Sequence, residues 1–182
     1  MTATPDPVAA WMQAWRAELP EVLFASSELS KRIMFLSAAL DRVTRSDLAE
    51  LGLTVAELDV LVTLRRAGEP YRMKPNQLAR ALMLSTGGTT NVTHRLVARG
   101  AVQREDDPAD ARSTWIRLTS DGIALAERAV LAISAEHDAF FEGVPPEVIE
   151  AATTALRDLI AACPSLLPRG STARAARAQG KV

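Results

Sequence analysis

The chain has 182 residues, of which 48% are hydrophobic, 24% charged and only 4% aromatic, so it suits one domain with an aliphatic core. A net charge of −1 gives no sign of a nucleic-acid-binding protein, and the single cysteine, Cys163, excludes an internal disulfide framework or a multi-cysteine metal site. The N-terminus does not resemble a secretory signal, and no apolar run approaches the roughly 20 residues that span a bilayer, so we expect a cytoplasmic protein without a membrane segment.

Two helices are predicted in the first part of the chain. Asp6 and Pro7 are typical of a helix start, with Asp6 as the N-cap and Pro7 as the first helical residue. A longer helix is predicted from about residue 23 to residue 44, because apolar residues recur on one face: Leu29, Ile33, Leu36 and Leu40. We therefore expect one helix in residues 1–22 and a longer helix with its connection in residues 23–53.

The next segment, residues 54–118, contains short helices followed by two strands. Thr54 and Glu57 form a predicted capping box, and the helix that they start ends before Gly68. Two further helices are predicted over residues 74–83 and 85–99, and the period then changes to that of two short strands, 102–104 and 113–118. This order predicts a winged helix-turn-helix, in a fold that is mainly α with a small β-hairpin wing.

The last third of the chain is predicted to be helical and then disordered. Thr119 is expected to cap a long helix that ends near residue 141, and Pro145-Pro146 to start a final helix that ends near Cys163. These two helices would occupy residues 119–163. Residues 164–182 carry four basic residues and no acidic one, with little to bury, and are predicted to be a disordered basic tail.

Charge is unevenly distributed along the chain. Residues 71–118 contain eight lysines and arginines but only four acidic residues, although the whole chain is slightly acidic. Positive charge that is concentrated on one part of an acidic protein is typical of a phosphate-binding surface. The predicted winged segment is therefore the candidate DNA-binding region.

The helix over residues 85–99 reads STGGTTNVTHRLVAR, with short polar residues near its start. A recognition helix needs such residues because they approach base edges and phosphates in the major groove. Leu96 and Val97 are expected to pack inward, with Thr89 and Thr93 on the same face. The predicted DNA-binding residues of this helix are its N-cap Ser85 and then Thr86, Gly87, Thr90, Asn91 and His94.

Asn91 has the most specific geometry in this group, since an asparagine can form a bidentate contact with adenine. Lys74 and Arg95 are predicted to contact phosphates, which position a protein on DNA without specifying sequence. Arg112, at the wing tip, is predicted to enter the minor groove. The alternatives are an exposed polar helix face and a solvated Arg112 that pairs with Asp110.

With these residues in view, residues 54–122 resemble the MarR family of winged-helix repressors. The likeness rests on the segment LARALMLSTGGTTNVTHRLVARGAVQREDDPADARSTWIRLTSDG, which contains the recognition helix, a D-x-R wing tip and an L-T-x-x-G helix start. The resemblance implies a homodimer held by its N- and C-terminal helices, with a dimerisation helix and its connection in residues 23–53 and C-terminal dimerisation helices in residues 119–163. It also implies a transcriptional repressor that binds a palindromic operator in double-stranded DNA and is released by a small, anionic or aromatic ligand.

The segments QAWRAELPE, AELDVLVTLRRAGEPY and TTNVTHRL are similar to the urate-responsive subfamily, which has an extra N-terminal helix. This resemblance implies a ligand pocket in which Trp15 is an aromatic wall, Asp59 an acid displaced by the ligand and Arg104 a cation that pairs with it. The chain departs from the subfamily at Val92, His94 and Ala111, where an arginine, an acid and an arginine are usual. The effector is therefore expected to be urate-like or phenolic.

From the residues alone, Trp15 is more often a core residue than a ligand wall, and the alternative for Asp59 is a structural salt bridge or a helix-end contact. Enzyme, cofactor and metal sites are not expected, because His94 and His137 lie far apart without a nucleophile or ligand spacing. Two other interpretations remain open. One is a redox-sensing regulator through Cys163, which has no basic neighbour before Arg169. The other is a winged-helix module that binds proteins rather than DNA.

Overall fold

The computed structural model describes residues 6–82, 85–108 and 110–163. In chain order its elements are α1 (Pro7–Glu18), a 3₁₀ helix (Pro20–Val22), α2 (Ser27–Glu50), α3 (Val55–Arg66), β1 (Arg72–Met73), α4 (Pro75–Ala81), α5 (Thr86–Ala98), β2 (Val102–Asp107), β3 (Asp110–Leu118), α6 (Ser120–Phe140) and α7 (Pro146–Ala162). The predicted class, mainly α with a small β-hairpin wing, is confirmed. The predicted tail, 164–182, lies outside the described residues, and none of the described helices is long and apolar enough to cross a membrane.

Helix starts follow from their capping residues. The Val8 amide donates to Asp6 Oδ1 at 2.9 Å, and the Gly122 amide donates to Thr119 Oγ1 at 3.0 Å. At α3 the Thr54 amide donates to Glu57 Oε2 at 2.8 Å, and the Glu57 amide donates back to Thr54 Oγ1 at 3.3 Å. Each of these side chains satisfies an amide that has no partner inside its helix, as expected from the sequence.

Helix α2 and the strands of the sheet differ from what the sequence predicts. α2 continues to Glu50 rather than to residue 44, since helix-compatible residues follow until Gly52, whose φ of 61° ends the run. The sheet has three strands in the order β1-β3-β2, of which the two-residue β1 was not predicted. The wing strands are also longer than predicted, and the pairing of Asp107 with Asp110 makes the turn between them short.

The winged segment has a continuous aliphatic core between the three-helix layer and the sheet. Its fully buried side chains come from α3, α4, α5 and both wing strands: Val60, Leu61, Leu64, Leu78, Leu96, Val102 and Ile116. One expectation was wrong, because Val97 is 38% exposed whereas Val92 is 5% exposed. Residues 89, 92, 93 and 96 follow the helical repeat on one side of α5, and position 97 lies about 100° further round.

The chain divides into two compact units at residues 140 and 141. In the first unit α2 packs on α6, and α6 packs on α3. In the second unit α7 begins after Pro145 and buries none of its residues. The apolar side chains that it exposes recur at helical spacing: Val148, Ile149, Leu156, Leu159 and Ile160.

Candidate nucleic-acid interface and ligand cavity

The N-terminal half of α5 presents a polar face to solvent. Ser85 is the N-cap, and its Oγ accepts a hydrogen bond from the Gly88 amide at 3.1 Å. Exposed residues then recur at the i, i+3, i+4 and i+7 positions of one helix face: Gly87, Thr90, Asn91 and His94. The structure thus brings these predicted DNA-binding residues together on one surface, which we call the α5 polar face.

The opposite side of α5 holds the helix in the core. Thr89 and Thr93 are 3% and 2% exposed, and their hydroxyls donate to the backbone oxygens of Ser85 and Thr89 at 3.1 and 2.8 Å. Their polar groups are therefore satisfied inside the helix while their methyl groups face inward. Because this side is tightly packed, the α5 polar face has a fixed orientation with respect to the winged segment.

Arg95 connects α5 to α3 through an ion pair. Its Nε donates to Glu57 Oε1 at 3.0 Å, and its side chain is 53% exposed. Burial raises the pKa of Glu57, but hydrogen bonds from Thr54 and Arg95 outweigh burial and leave this pKa below its ordinary value. Arg95 thus combines a structural contact with an exposed side chain at the edge of the α5 polar face.

Lys74 lies at the start of α4, but its side chain is directed to the wing. Its Nζ donates to Asp107 Oδ2 on β2 and, at 2.6 Å, to Ser113 Oγ on β3. It also lies 4.0 Å from the centre of the Trp115 ring. The sequence predicts Lys74 as a phosphate contact and gives no indication of these three partners.

The outer face of the wing sheet carries a network of charged residues around Trp115. Arg72 lies over the ring, 4.6 Å from its centre, and also pairs with Glu105 at 3.2 Å. Arg117 pairs with the same carboxylate at 2.7 Å. The hydrogen bonds from these arginines, that of Arg117 first, outweigh burial and lower the pKa of Glu105. Because side chains alternate along a strand, positions 113, 115 and 117 of β3 lie on one face of the sheet. This alternation is visible in the sequence, although the network was not predicted from it.

Two predicted DNA-binding side chains fall outside the described part of the structure. The backbone of Arg112 lies in β3 and that of Thr86 is the first residue of α5, but their side chains are not among those described. Arg112 directly precedes Ser113 and follows the short turn at residues 107–110. Its predicted minor-groove contact therefore stays a prediction.

Trp15 lines a cavity of about 320 Å³ between α1 and α2. The walls are almost entirely apolar, with one cation, and consist of Trp11, Met12, Trp15, Lys31, Met34, Phe35 and Ala38. Trp11 and Phe35 pack edge to face, with ring centres 5.7 Å apart. Apolar aromatic walls with few polar groups are typical of small-molecule sites.

Asp59 and Arg104 do not line this cavity, since they lie on α3 and β2. Neither forms an ion pair among the described residues. Burial raises the pKa of the Asp59 carboxyl above its ordinary value. The grouping of Trp15, Asp59 and Arg104 into one ligand site therefore stays a prediction. Cys163 ends α7 as its C-cap and is half-buried.

Comparisons with known proteins agree with this geometry. A model described as the MarR family matches residues 51–113. The HTH-type transcriptional regulator PecS of Dickeya dadantii (strain 3937) is 35% identical over 123 residues, which cover 65% of this chain and 72% of PecS. The structure of wild-type apo MarR from E. coli superposes with a TM-score of 0.65 at 25% identity and covers 72% of this chain and 96% of that one. The structure of CouR from Rhodococcus jostii RHA1, bound to p-coumaroyl-CoA, superposes with a TM-score of 0.61 at 25% identity. The match covers 74% of this chain and 92% of CouR.

Proposed function

Because this chain belongs to the MarR family of transcriptional regulators, we propose that it binds a palindromic operator as a homodimer and represses transcription until a small ligand releases it. The observation that carries the proposal is the α5 polar face. It combines hydroxyl, amide and imidazole groups with a glycine backbone, and it is exposed on a helix whose other side is firmly packed. Such a face fits the major groove.

Exposed apolar side chains support the homodimer. In the first unit α1 and α2 expose large hydrophobic residues, including Trp11, Met34 (61%) and Leu36, and Phe24 just before α2 is 74% exposed. In the second unit α7 exposes an apolar face of its own. Exposed apolar helix faces of this kind are typical of protein interfaces. In a two-fold dimer the two copies of α5 would enter successive major grooves, with half-site centres roughly 10 bp apart.

In this proposal each part of the winged segment has a separate role. The predicted DNA-binding residues of α5 and its N-cap contact base edges and the adjacent DNA backbone: Ser85, Thr86, Gly87, Thr90, Asn91 and His94. Arg95 contacts phosphate with the part of its side chain that Glu57 leaves exposed. Arg112 enters the minor groove that flanks each half-site, where narrow A·T-rich stretches attract guanidinium groups.

For the effector we propose a urate-like or phenolic acid that binds against Trp15. The cavity between α1 and α2 supports this choice, since aromatic walls suit a planar ring and Lys31 suits a carboxylate or urate anion. CouR, which has the same fold, was solved with p-coumaroyl-CoA, a phenolic thioester. Asp59 and Arg104 would take part in the response that changes the spacing of the two recognition helices.

The DNA-binding proposal is tested by two alanine variants with different expected effects. Asn91→Ala removes a base contact, so it should lower the discrimination between the selected operator and a single-site mismatch by about 10-fold. Arg112→Ala removes a wing contact, so it should weaken all duplexes and lower the slope of log K against log salt by about 1. Gel-shift titrations on duplexes selected by the wild-type protein, at several salt concentrations, measure both. Wild-type affinity and selectivity in both variants would contradict the assignment.

The ligand proposal is tested with Asp59→Asn. Since burial raises the pKa of Asp59, the folded chain disfavours the ionised carboxyl, and at neutral pH the amide should leave the melting temperature unchanged or raise it. DNA affinity should also remain, whereas the urate concentration that releases half of the DNA should rise several-fold. An unchanged urate dose-response would remove Asp59 from the switch. A lowered melting temperature would instead indicate a structural role.

A further inference from the structure

We propose that Lys74 is a positioning residue that fixes the orientation of the wing, rather than a phosphate ligand. Its side chain joins the start of α4 to both wing strands through a cluster of four residues, the wing-base cluster: Lys74, Asp107, Ser113 and Trp115. This inference rests on the proposed function, because the wing tip that it positions carries Arg112.

The ammonium group of Lys74 is engaged on several sides. Its Nζ donates to the Asp107 carboxylate and to Ser113 Oγ, and it faces the Trp115 ring at 4.0 Å. The side chains of Lys74 and Asp107 are only 18% and 13% exposed. A lysine that binds a phosphate presents its charge to solvent, whereas this one is directed into the protein and neutralised by a carboxylate.

The other end of Lys74 is also fixed. It is the N-cap of α4, and its backbone amide donates to Gln77 Oε1 at 3.0 Å. α4 packs on α5 and α3 in the winged core. The wing-base cluster therefore connects the helix before the recognition helix to the sheet that carries the wing tip.

The cluster lies where the hairpin is least constrained by its own ladder. The register of β2 and β3 shifts between Asp106 and Asp107, so regular pairing is interrupted there. Asp107 is the last residue of β2, and Ser113 directly follows Arg112. The contacts of Lys74 with Asp107 and Ser113 thus cross the hairpin at the irregularity, next to the residue that is proposed to enter the minor groove.

Arg72 supports the same arrangement through the same ring. Its guanidinium lies 4.6 Å from the centre of Trp115 and is held by Glu105. Two cations thus pack against one aromatic ring, and β1, which carries Arg72, pairs with β3. The wing base is therefore connected through side chains and backbone to the chain segment that enters α4.

The test is a double-mutant cycle between Lys74 and Arg112. Lys74→Met keeps an apolar stem against Trp115 but removes the ammonium group, and Lys74→Arg is the control that retains the charge. If Lys74 acts through the wing, Lys74→Met should weaken binding to the selected duplex by about 10-fold, but by less than about 2-fold when Arg112 is already alanine. Lys74→Arg should retain most of the affinity. Footprints of Lys74→Met should lose hydroxyl-radical protection at the flanking minor grooves and keep the protection of guanine N7 against dimethyl sulfate in the major grooves.

A direct phosphate contact gives a different result. The effects of Lys74→Met and Arg112→Ala would then multiply, and the salt slope would fall by about 0.9 more in the double variant than in Arg112→Ala alone. That result overturns the inference. A measurement without DNA tests the positioning role of Lys74 separately from the proposed function: amide hydrogen exchange over residues 107–115 should be faster in Lys74→Met than in the wild type. If Arg112→Ala binds like the wild type, the wing contact of the proposed function fails, and unchanged exchange in Lys74→Met overturns the positioning role by itself.

Discussion

Gly122→Ala is expected to cost about 3 kcal/mol or more of folding free energy, at the upper end of the range for overpacked sites. A Cβ at this position would lie 1.8 Å from the Ala101 carbonyl oxygen and 2.8 Å from its carbon. Both are backbone atoms and cannot move aside as a flexible side chain does. The carbonyl is also held in place, since the Thr119 amide donates to it at 3.1 Å. The start of α6 and the backbone at Ala101 would have to move apart.

The measurement is urea unfolding followed by circular dichroism. Gly87→Ala is the matched control, because Gly87 is also a helical glycine but a Cβ added there would meet no atom within 4 Å. It should gain up to about 1 kcal/mol from helix propensity. If Gly122→Ala unfolds at the same urea concentration as the wild type, the close approach of α6 to Ala101 is wrong.

Leu96→Ala is the second change with a large expected effect, a loss of about 3 kcal/mol. Leu96 is fully buried in the aliphatic core and holds α5 against the rest of the winged segment. Truncation removes apolar contacts and leaves a cavity that this core cannot easily fill. Because the same side chain orients the α5 polar face, DNA affinity should also fall in the fraction of the protein that remains folded.

Val97→Ala is the control for this variant. Val97 is the neighbouring residue but is 38% exposed, so its truncation should cost less than about 1 kcal/mol. Thermal and urea unfolding of the two variants give the comparison. Equal losses would mean that α5 is rotated about its axis relative to the structure, and the set of residues on the α5 polar face would then change.

The parts of the fold that depend on local patterns were predictable from the sequence. The Thr54 and Glu57 capping box and the Ser85 N-cap are set by residues three positions apart, so the sequence alone reveals them. The strand β1 was missed because two residues carry no periodicity, and its pairing with β3 depends on residues more than 40 positions away. Val97 was misplaced because two adjacent apolar residues leave the helix rotation undetermined.

The candidate site also contains features that the sequence predicts and features that only the fold reveals. The α5 polar face follows from the 3.6-residue period, so its residues are predictable without any knowledge of the tertiary fold. The partners of Lys74 were not predictable, since Asp107 and Ser113 lie 33 and 39 positions away and become neighbours only when the wing folds. A lysine at a helix start is typical of phosphate binding, and only its neighbours in the fold indicate another role.

The contact of Gly122 with Ala101 connects the movement of α6 directly to the backbone before the wing. The helix has 21 residues, a length of about 30 Å, and its first turn is in direct contact with the backbone that links α5 to the wing. A tilt of about 3° around its far end moves that first turn by about 1.5 Å, which is comparable to the helix shifts seen in switching proteins. Since no side chain lies between them to absorb the movement, we expect a tilt of α6 to shift the backbone that links α5 to the wing.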